Sequence, residues 1–486
     1  MKKINASRRE FLRYASLLSG SGGLTAATLP FAINLAGMGA AAAQTSGNSG
    51  YKALICLFMY GANDHANTVL ATDSSSWSQY VSVRTTNESG SIALPAAGQN
   101  GGVLPISSNG GANSGRSFAL HPSLADLAKI YESGRAAIIA NVGPLIVPTS
   151  LAQYKAQSVP LPPKLFSHND QQSLWQAYAP EGAAYGWGGR IADMLASSNS
   201  NPIFSAISAS GNAVFLAGRN VNQYQVSNSG AVPIGGLSGS LFGSSSAVNP
   251  LKAIITADSG NYLQREHALI TSRSINAQSL LAPAMAPAGA GGVANPSQYS
   301  NPNTGALTTN PLATQLQTIA RIIAGRSTLG AQRQVFFVSM GGFDTHDFQR
   351  TTQADLLARI NHAIAYFDGV LSNLGGTDLR NNVTLFTASD FGRTFTSNGD
   401  GTDHGWGSHH FVIGGAVKGK AVYGEFPVTG LKHNLDVGSG SLLPQISVDQ
   451  YGASLAGWFG VSASQIAEIF PNIGNFPTRN LNFMNT

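Results

Sequence analysis

Four apolar runs rich in β-branched and aromatic residues constrain the fold most: 52–60 (KALICLFMY), 136–143 (AAIIANVG), 334–340 (QVFFVSM) and 383–389 (VTLFTAS). Side chains on both faces of each run are apolar, the pattern of strands covered on two sides, as in parallel sheets. Between the last two runs, Leu356, Leu357, Ile360, Ile364, Phe367 and Leu371 recur at helical spacing. Strand, amphipathic helix and strand make a βαβ unit. A second helix is expected over 120–134, with Leu124, Leu127 and Ile130 facing the core and Gly134 at its C-terminus. The expected fold is α/β: a three-layer α/β/α arrangement around a mainly parallel central sheet.

Residues 73–117 and 200–312 are rich in Ser, Gly, Asn, Pro and Ala with few apolar repeats. They are read as loop-rich insertions or lids in one domain spanning 44–486. Residues 1–43 read as a twin-arginine export signal, in which Arg8 and Arg9 precede Phe11 and Leu12 and the small residues of AAAAQ follow at 40–44. Gly20, Gly22, Gly23 and Pro30 interrupt its apolar stretch. A cleaved leader is therefore expected rather than a permanent membrane span, with the twin-arginine translocase as partner during export and a periplasmic or secreted product. Removing Lys2, Lys3, Arg8, Arg9, Arg13 and Glu10 lowers the formal charge from +5 to about +1. The remainder carries no basic run that suits nucleic acid. Cys56, the single cysteine, excludes an intramolecular disulfide and reads as a buried small hydrophobe.

Three of the runs are followed at once by an aspartate-bearing polar cluster. GANDHAN holds Asp64 and His65, GGFDTHDFQ holds Asp344, His346 and Asp347, and SDFGRT holds Asp390 and Arg393. Loops beyond the C-terminal ends of parallel strands converge on one crevice, so three carboxylates are expected to meet there. Their repulsion calls for a cation. Carboxylates with neutral imidazoles suit zinc, manganese or iron, whereas an all-oxygen set suits calcium or magnesium. Asp344 and His346 can reach one ion if their loop turns, and His404 is the expected third ligand. Each aspartate alone reads equally well as a helix cap; recurrence after three strands favours a metal or catalytic site. His409 and His410 alternate across a strand, so one of them at most is expected to reach the site, and Asp400 and Asp403 read as turn residues.

A nucleophile candidate lies in KLFSHNDQQSLWQ, residues 164–176, where Ser167 precedes a helix. A hydroxyl at a helix N-terminus suits attack on an anionic phosphoryl or sulfuryl group. The same spacing equally describes an N-cap closed by Asp170. His168, Asn169 and Gln172 can contact substrate from this turn. Arg393 is a candidate anion clamp, with a salt bridge as the alternative.

The chain resembles the bacterial domain-of-unknown-function family 1501 in GAND, ALHPSLADL, ANVG, FSHNDQQ, GWGGRIAD, GGFDTH, SDFGRT, DHGWGSHHFVIGGAVKGKAVYG and SVDQYGASLAGWFG, found in that order. That family is grouped with alkaline-phosphatase-like and sulfatase-like hydrolases, and the resemblance implies their α/β/α fold with one or two divalent metal ions (zinc, manganese, calcium or magnesium) at the strand ends. It further implies that Asp64 and Asp390 hold one ion, that Asp344, His346 and His404 hold another, and that Ser167 lies in the nucleophile region. Alkaline phosphatases place a histidine after the aspartate equivalent to Asp390, where this chain has Phe391. Neither Cys56 nor Ser167 sits in the C/S-x-P-x-R element of formylglycine sulfatases. The expected function is metal-dependent hydrolysis of a small or polymer-borne phosphate or sulfate ester. Its rivals are a non-catalytic binding or assembly protein that keeps the fold, and a transferase acting on cell-surface polymers.

Overall fold

The computed structural model describes residues 50–485 apart from 87–90, 109–110, 229, 233, 238, 259 and 286–291. The leader expected at 1–43 lies outside the described residues. In chain order, β1 (Lys52–Met59), β2 (Ala136–Gly143), β3 (Ala206–Ser208), β4 (Tyr224–Ser227), β5 (Gly230–Ala231), β6 (Arg333–Met340), β7 (Val383–Ser389), β8 (Ser408–Ile413), β9 (Val422–Tyr423) and β10 (Ile446–Ser447) form one ten-stranded sheet. Its order is β9-β2-β8-β7-β1-β6-β3-β4-β5, with β10 also paired to β2. All four apolar runs are strands of it.

The centre of the sheet is parallel. Ile55 of β1 lies opposite Phe336 of β6 on one side and Leu385 of β7 on the other. Buried on both faces, these strands need the continuous apolar sequence that marks them. The sheet as a whole is mixed, because β8 runs antiparallel between β7 and β2.

Alternate side chains of β1 separate the two faces. Ala53, Ile55, Leu57 and Met59 join a core with Leu127 of α1 (Ala125–Glu132), Leu316 and Ile319 of α4 (Pro311–Ala324), and Ile360 and Ile364 of α5 (Gln349–Leu371). On the other face, Phe386 of β7 packs on Trp187 of α3 (Trp187–Leu195) and Tyr451 of α6 (Val448–Phe459), and Tyr451 meets Trp175 of α2 (His168–Ala177). The result is three layers: helices, sheet, helices.

The segments read as insertions contribute structure. Residues 73–117 supply a helix, Ser74–Arg84, and a strand, Leu104–Ile106, which joins Val69–Ala71 and Phe118–Leu120 in a small sheet. Within 200–312, β3, β4 and β5 extend the main sheet past β6, and a helix spans Tyr262–Ala284. Strands of two to four residues leave too few positions for a period to be read. Among the described residues no helix is long and apolar enough to cross a membrane. The loops after β1, β6 and β7 share the C-terminal edge of the parallel strands, where the polar clusters meet.

Candidate metal centre

β7 delivers Asp390 at its C-terminal end with no exposed surface. Its Oδ2 accepts three hydrogen bonds: from the Gly61 backbone N–H (3.1 Å), from Gln172 Nε2 (2.9 Å) and from His168 Nδ1 (2.7 Å). Its Oδ1 is buried with no partner among the described residues. Gly61 has φ +107°, and a Cβ there would stand 2.5 Å from the Asp344 backbone nitrogen. Only glycine lets β1's loop bring its amide onto Asp390 while passing so close to the loop after β6.

Three imidazoles turn their Nε2 atoms toward one point. His168 directs Nδ1 at Asp390, His404 directs Nδ1 at the Phe166 carbonyl (2.8 Å), and His346 directs Nδ1 at Asp403 (3.2 Å). Each Nδ1 faces an oxygen and so carries the proton, which leaves a lone pair on Nε2, as in imidazoles set to bind a metal. His404 Nε2 lies 3.1 Å from both His168 Nε2 and His346 Nε2. Asp344 completes the cluster, 3.4 Å from His168 Nε2, 3.5 Å from His404 Nε2 and 3.0 Å from His346 Nε2. Lone pairs facing each other at this separation repel unless a proton or a cation lies among them. His168, Asp344 and His404 could hold one ion, with ligand atoms all within 4.8 Å of one another.

The local electrostatics split the histidines. The hydrogen bond to Asp390 pushes the His168 pKa up against its partial burial, whereas burial pulls His404 down. Partial burial pushes Asp344 up, but the hydrogen bond and charge of Arg393, with His168 and His346 nearby, outweigh it and leave the carboxyl below its usual range. Phe391, buried, lays its ring against His168 and His404 at 4.8 Å between centroids. The residue directly after Asp390 is thus an apolar wall fixing two imidazoles.

The other expected residues fall into different surroundings. Asp64 lies outside the cluster, fully buried, and its two carboxylate oxygens take both ends of the buried Arg84 guanidinium. Ala66 N–H and Gln349 Nε2 (2.6 Å) complete its partners. An organic cation thus occupies the place where the resemblance puts an ion. Arg393 is also fully buried rather than free to clamp an anion. It donates to Asp344 (2.5 Å), to the Thr402 carbonyl and to Thr402 Oγ1 (3.3 Å), so that it orients Asp344. Ser167 precedes α2, but its hydroxyl donates to Asp170 (2.8 Å) instead of capping the helix.

Neither adjacent histidine of β8 enters the cluster. His409 Nδ1 accepts from Asn141 N–H, and His410 packs on Trp175. Asp400 holds the Phe348 N–H, as a turn residue does. Asp403 does more than turn the chain, because it orients His346. Sequence reasoning missed Arg84, Gln349 and the ring of Phe391. Arg84 stands at the end of an unremarkable helix, and no spacing ties it to Asp64.

Comparison with known proteins places a match to the family model "Protein of unknown function (DUF1501)" over residues 288–444, a span that includes Asp344, His346, Asp390, Arg393 and His404. No curated protein matches. Among solved structures, one concerning metabolism of multiple glycosaminoglycans by Bacteroides thetaiotaomicron is 9% identical, covering 87% of this chain and 75% of that one, with TM-score 0.33. Ps i-CgsB in complex with k-i-k-neocarrahexaose is 7% identical over 89% of this chain and 78% of that one, with TM-score 0.35. Ps i-CgsB alone gives 8%, 89% and 77%, with TM-score 0.35.

Proposed function

We propose that the chain is a metal-dependent hydrolase of a phosphate or sulfate ester, built around one divalent ion held by His168, Asp344 and His404. The observation that carries this reading is the convergence of three Nε2 atoms and Asp344, each imidazole oriented by an oxygen on its Nδ1. The orphaned Oδ1 of Asp390, buried beneath the cluster, fits the same reading, since a buried carboxylate oxygen without a partner is costly. Two imidazoles and a carboxylate suit zinc or manganese, and three protein ligands leave coordination positions for substrate and water. When bound, the ion would supply Lewis acidity, polarising the ester and lowering the pKa of water.

The chain's own groups do the rest. Arg393 orients Asp344, Asp390 orients His168, and the Phe391 ring keeps both imidazoles from turning. His346, 39% exposed and anchored on Asp403 through Nδ1, holds its Nε2 lone pair where it can take a proton from the attacking water and return it to the departing oxygen. Ser167 is not needed as nucleophile in this scheme, because its hydroxyl is engaged by Asp170 and water serves.

The test is metal analysis of purified protein with a panel of aryl phosphates and sulfates. One equivalent of ion is expected in wild type and His346→Gln, and none in His404→Ala. Turnover is expected in wild type only. Folded wild type free of metal after zinc or manganese supplementation would refute the reading.

One observation favours a second reading, a non-catalytic binding or assembly protein. The guanidinium nearest the cluster is committed to Asp344 and Thr402, and so is not free to hold an anion. That reading predicts one bound ion, no turnover of any ester, and loss of thermal stability on chelation. We further propose export through the twin-arginine pathway, which Arg8→Lys/Arg9→Lys would block in a localisation assay.

A further inference from the structure

Gln172 joins the cluster to a second feature. Its amide nitrogen donates to Asp390, and its side chain also lines a cleft with Tyr60, Asn169, Gln176, Glu181 and Asn212. The cleft encloses about 590 Å³ including its open mouth. No lysine or arginine lines it, and its one charged group is Glu181.

Several polar groups there are unused. Asn212 accepts from Gln223 (2.5 Å) and Gln225 (2.6 Å) through its carbonyl, which leaves its NH2 to donate. The side chains of Asn169 and Glu181 bond to no described residue, and the Gln172 carbonyl is likewise unclaimed. The wall behind them is rigid. Gln176 is buried and held by the Phe215 N–H (3.1 Å), and the Tyr60 ring rests on Phe58 at 4.5 Å between centroids. Burial pushes the Tyr60 phenol up to about 12, so it stays protonated.

Charge and shape select the occupant. Without a cation the cleft does not suit a second anionic group, and with mostly polar walls it does not suit a lipid or an apolar ring. Amides, a phenol and a carboxylate offer donors and acceptors in close alternation, which matches hydroxyl groups that both give and accept a hydrogen bond. We propose that this cleft binds a neutral, hydroxyl-rich group, a sugar, that carries the ester presented to the His/Asp cluster. The proposal rests on the hydrolase reading above and names the alcohol part of its substrate.

Calorimetric titration of the full chain with methyl glycosides of glucose, galactose and N-acetylglucosamine reads the cleft without turnover, because these probes carry no ester. Saturable binding to at least one is expected, weakened roughly tenfold by Asn212→Ala as one hydrogen bond is lost. Asn169→Ala, at an exposed position, should weaken it similarly. Thermal unfolding of Asn169→Ala should match wild type, since that side chain gives up no hydrogen bond to a described residue. No saturable heat with any glycoside overturns the proposal, as does binding that neither variant changes. Turnover of aryl esters without glycoside binding would sink the sugar subsite alone. Glycoside binding without turnover of any ester would sink the hydrolase and leave the subsite standing.

Discussion

Asp64→Asn separates the two roles open to this residue, ligand of an ion or partner of Arg84. In the structure both side chains of the pair have 0% exposure. The substitution keeps the shape of Asp64 and removes its charge, leaving a buried guanidinium without a counter-charge. Removing one partner of a buried ion pair costs about 3–5 kcal/mol. Arg84 retains Asn67 Oδ1 (2.9 Å) and the carbonyls of Phe395 and Thr394 (both 3.1 Å), which places the loss at the lower end. About 3 kcal/mol is a more than hundredfold shift in the folding equilibrium. Urea unfolding followed by tryptophan fluorescence reads it directly. Zinc content and affinity, measured on the same preparations, should stay within about threefold of wild type, since Asp64 does not touch the cluster. A double variant, Asp64→Leu/Arg84→Met, should cost less than the sum of the two singles, because it leaves no orphaned charge. Wild-type stability combined with lost metal in Asp64→Asn would refute the reasoning and return Asp64 to the ligand set.

Further outcomes follow from the same geometry. Gly61→Ala should destabilise by at least about 2 kcal/mol in thermal unfolding, combining a left-handed φ with overlap on the Asp344 backbone. Gly98→Ala, with φ +83° but nothing within 4 Å, should cost less. Because Asp390 raises the His168 pKa, the protonated ring must lose its Nε2 proton before it can bind an ion, so zinc affinity should fall as pH drops through that raised value, and binding below it should release a proton. Without metal the sign reverses: the His168–Asp390 pair stabilises fully below the ordinary histidine pKa and is lost as pH rises through the raised one. Asp449, pushed up to about 6 by burial, binds its proton more tightly folded than unfolded, so stability should decline between about pH 4 and pH 6. Asp449→Asn should flatten that slope in denaturant melts.

What was legible in the sequence follows from how far each signal reaches along the chain. The strands β1, β2, β6 and β7 announce themselves because burial on two faces demands mainly apolar sequence along strands of seven or eight residues. Asp344 and Asp390 were legible because the rule that ligands sit beyond parallel strand ends needs only the strand and the next few residues. The partners of the imidazoles were not. Phe166 offers a backbone carbonyl, which any residue type carries, and its φ of +70° is invisible in composition. Arg84 pairs with Asp64 across 20 positions from a helix whose exposed face hides its buried end. The antiparallel placement of β8 also escaped notice, since HHFVIGG reads as a strand without saying which neighbour it takes.

The charges around the strand ends argue for the number of ions. Asp64 is neutralised by Arg84 and Asp344 by Arg393, each through direct hydrogen bonds. Asp390 and Asp403 have only imidazoles and uncharged groups as partners. Asp390 is then the fully buried strand-end carboxylate with no guanidinium on it, and a cation at the cluster offsets its charge. A second ion would have to displace Arg84, whose guanidinium makes five hydrogen bonds in a site closed to water. Phe391, next to Asp390, offers no ligand for it either, and its ring is the surface against which His168 and His404 rest. Phe391→His therefore should not create a second site. It should loosen His168, lower the affinity for the single ion, and leave the stoichiometry at one, whereas two equivalents in that variant would show that Arg84 yields to metal after all.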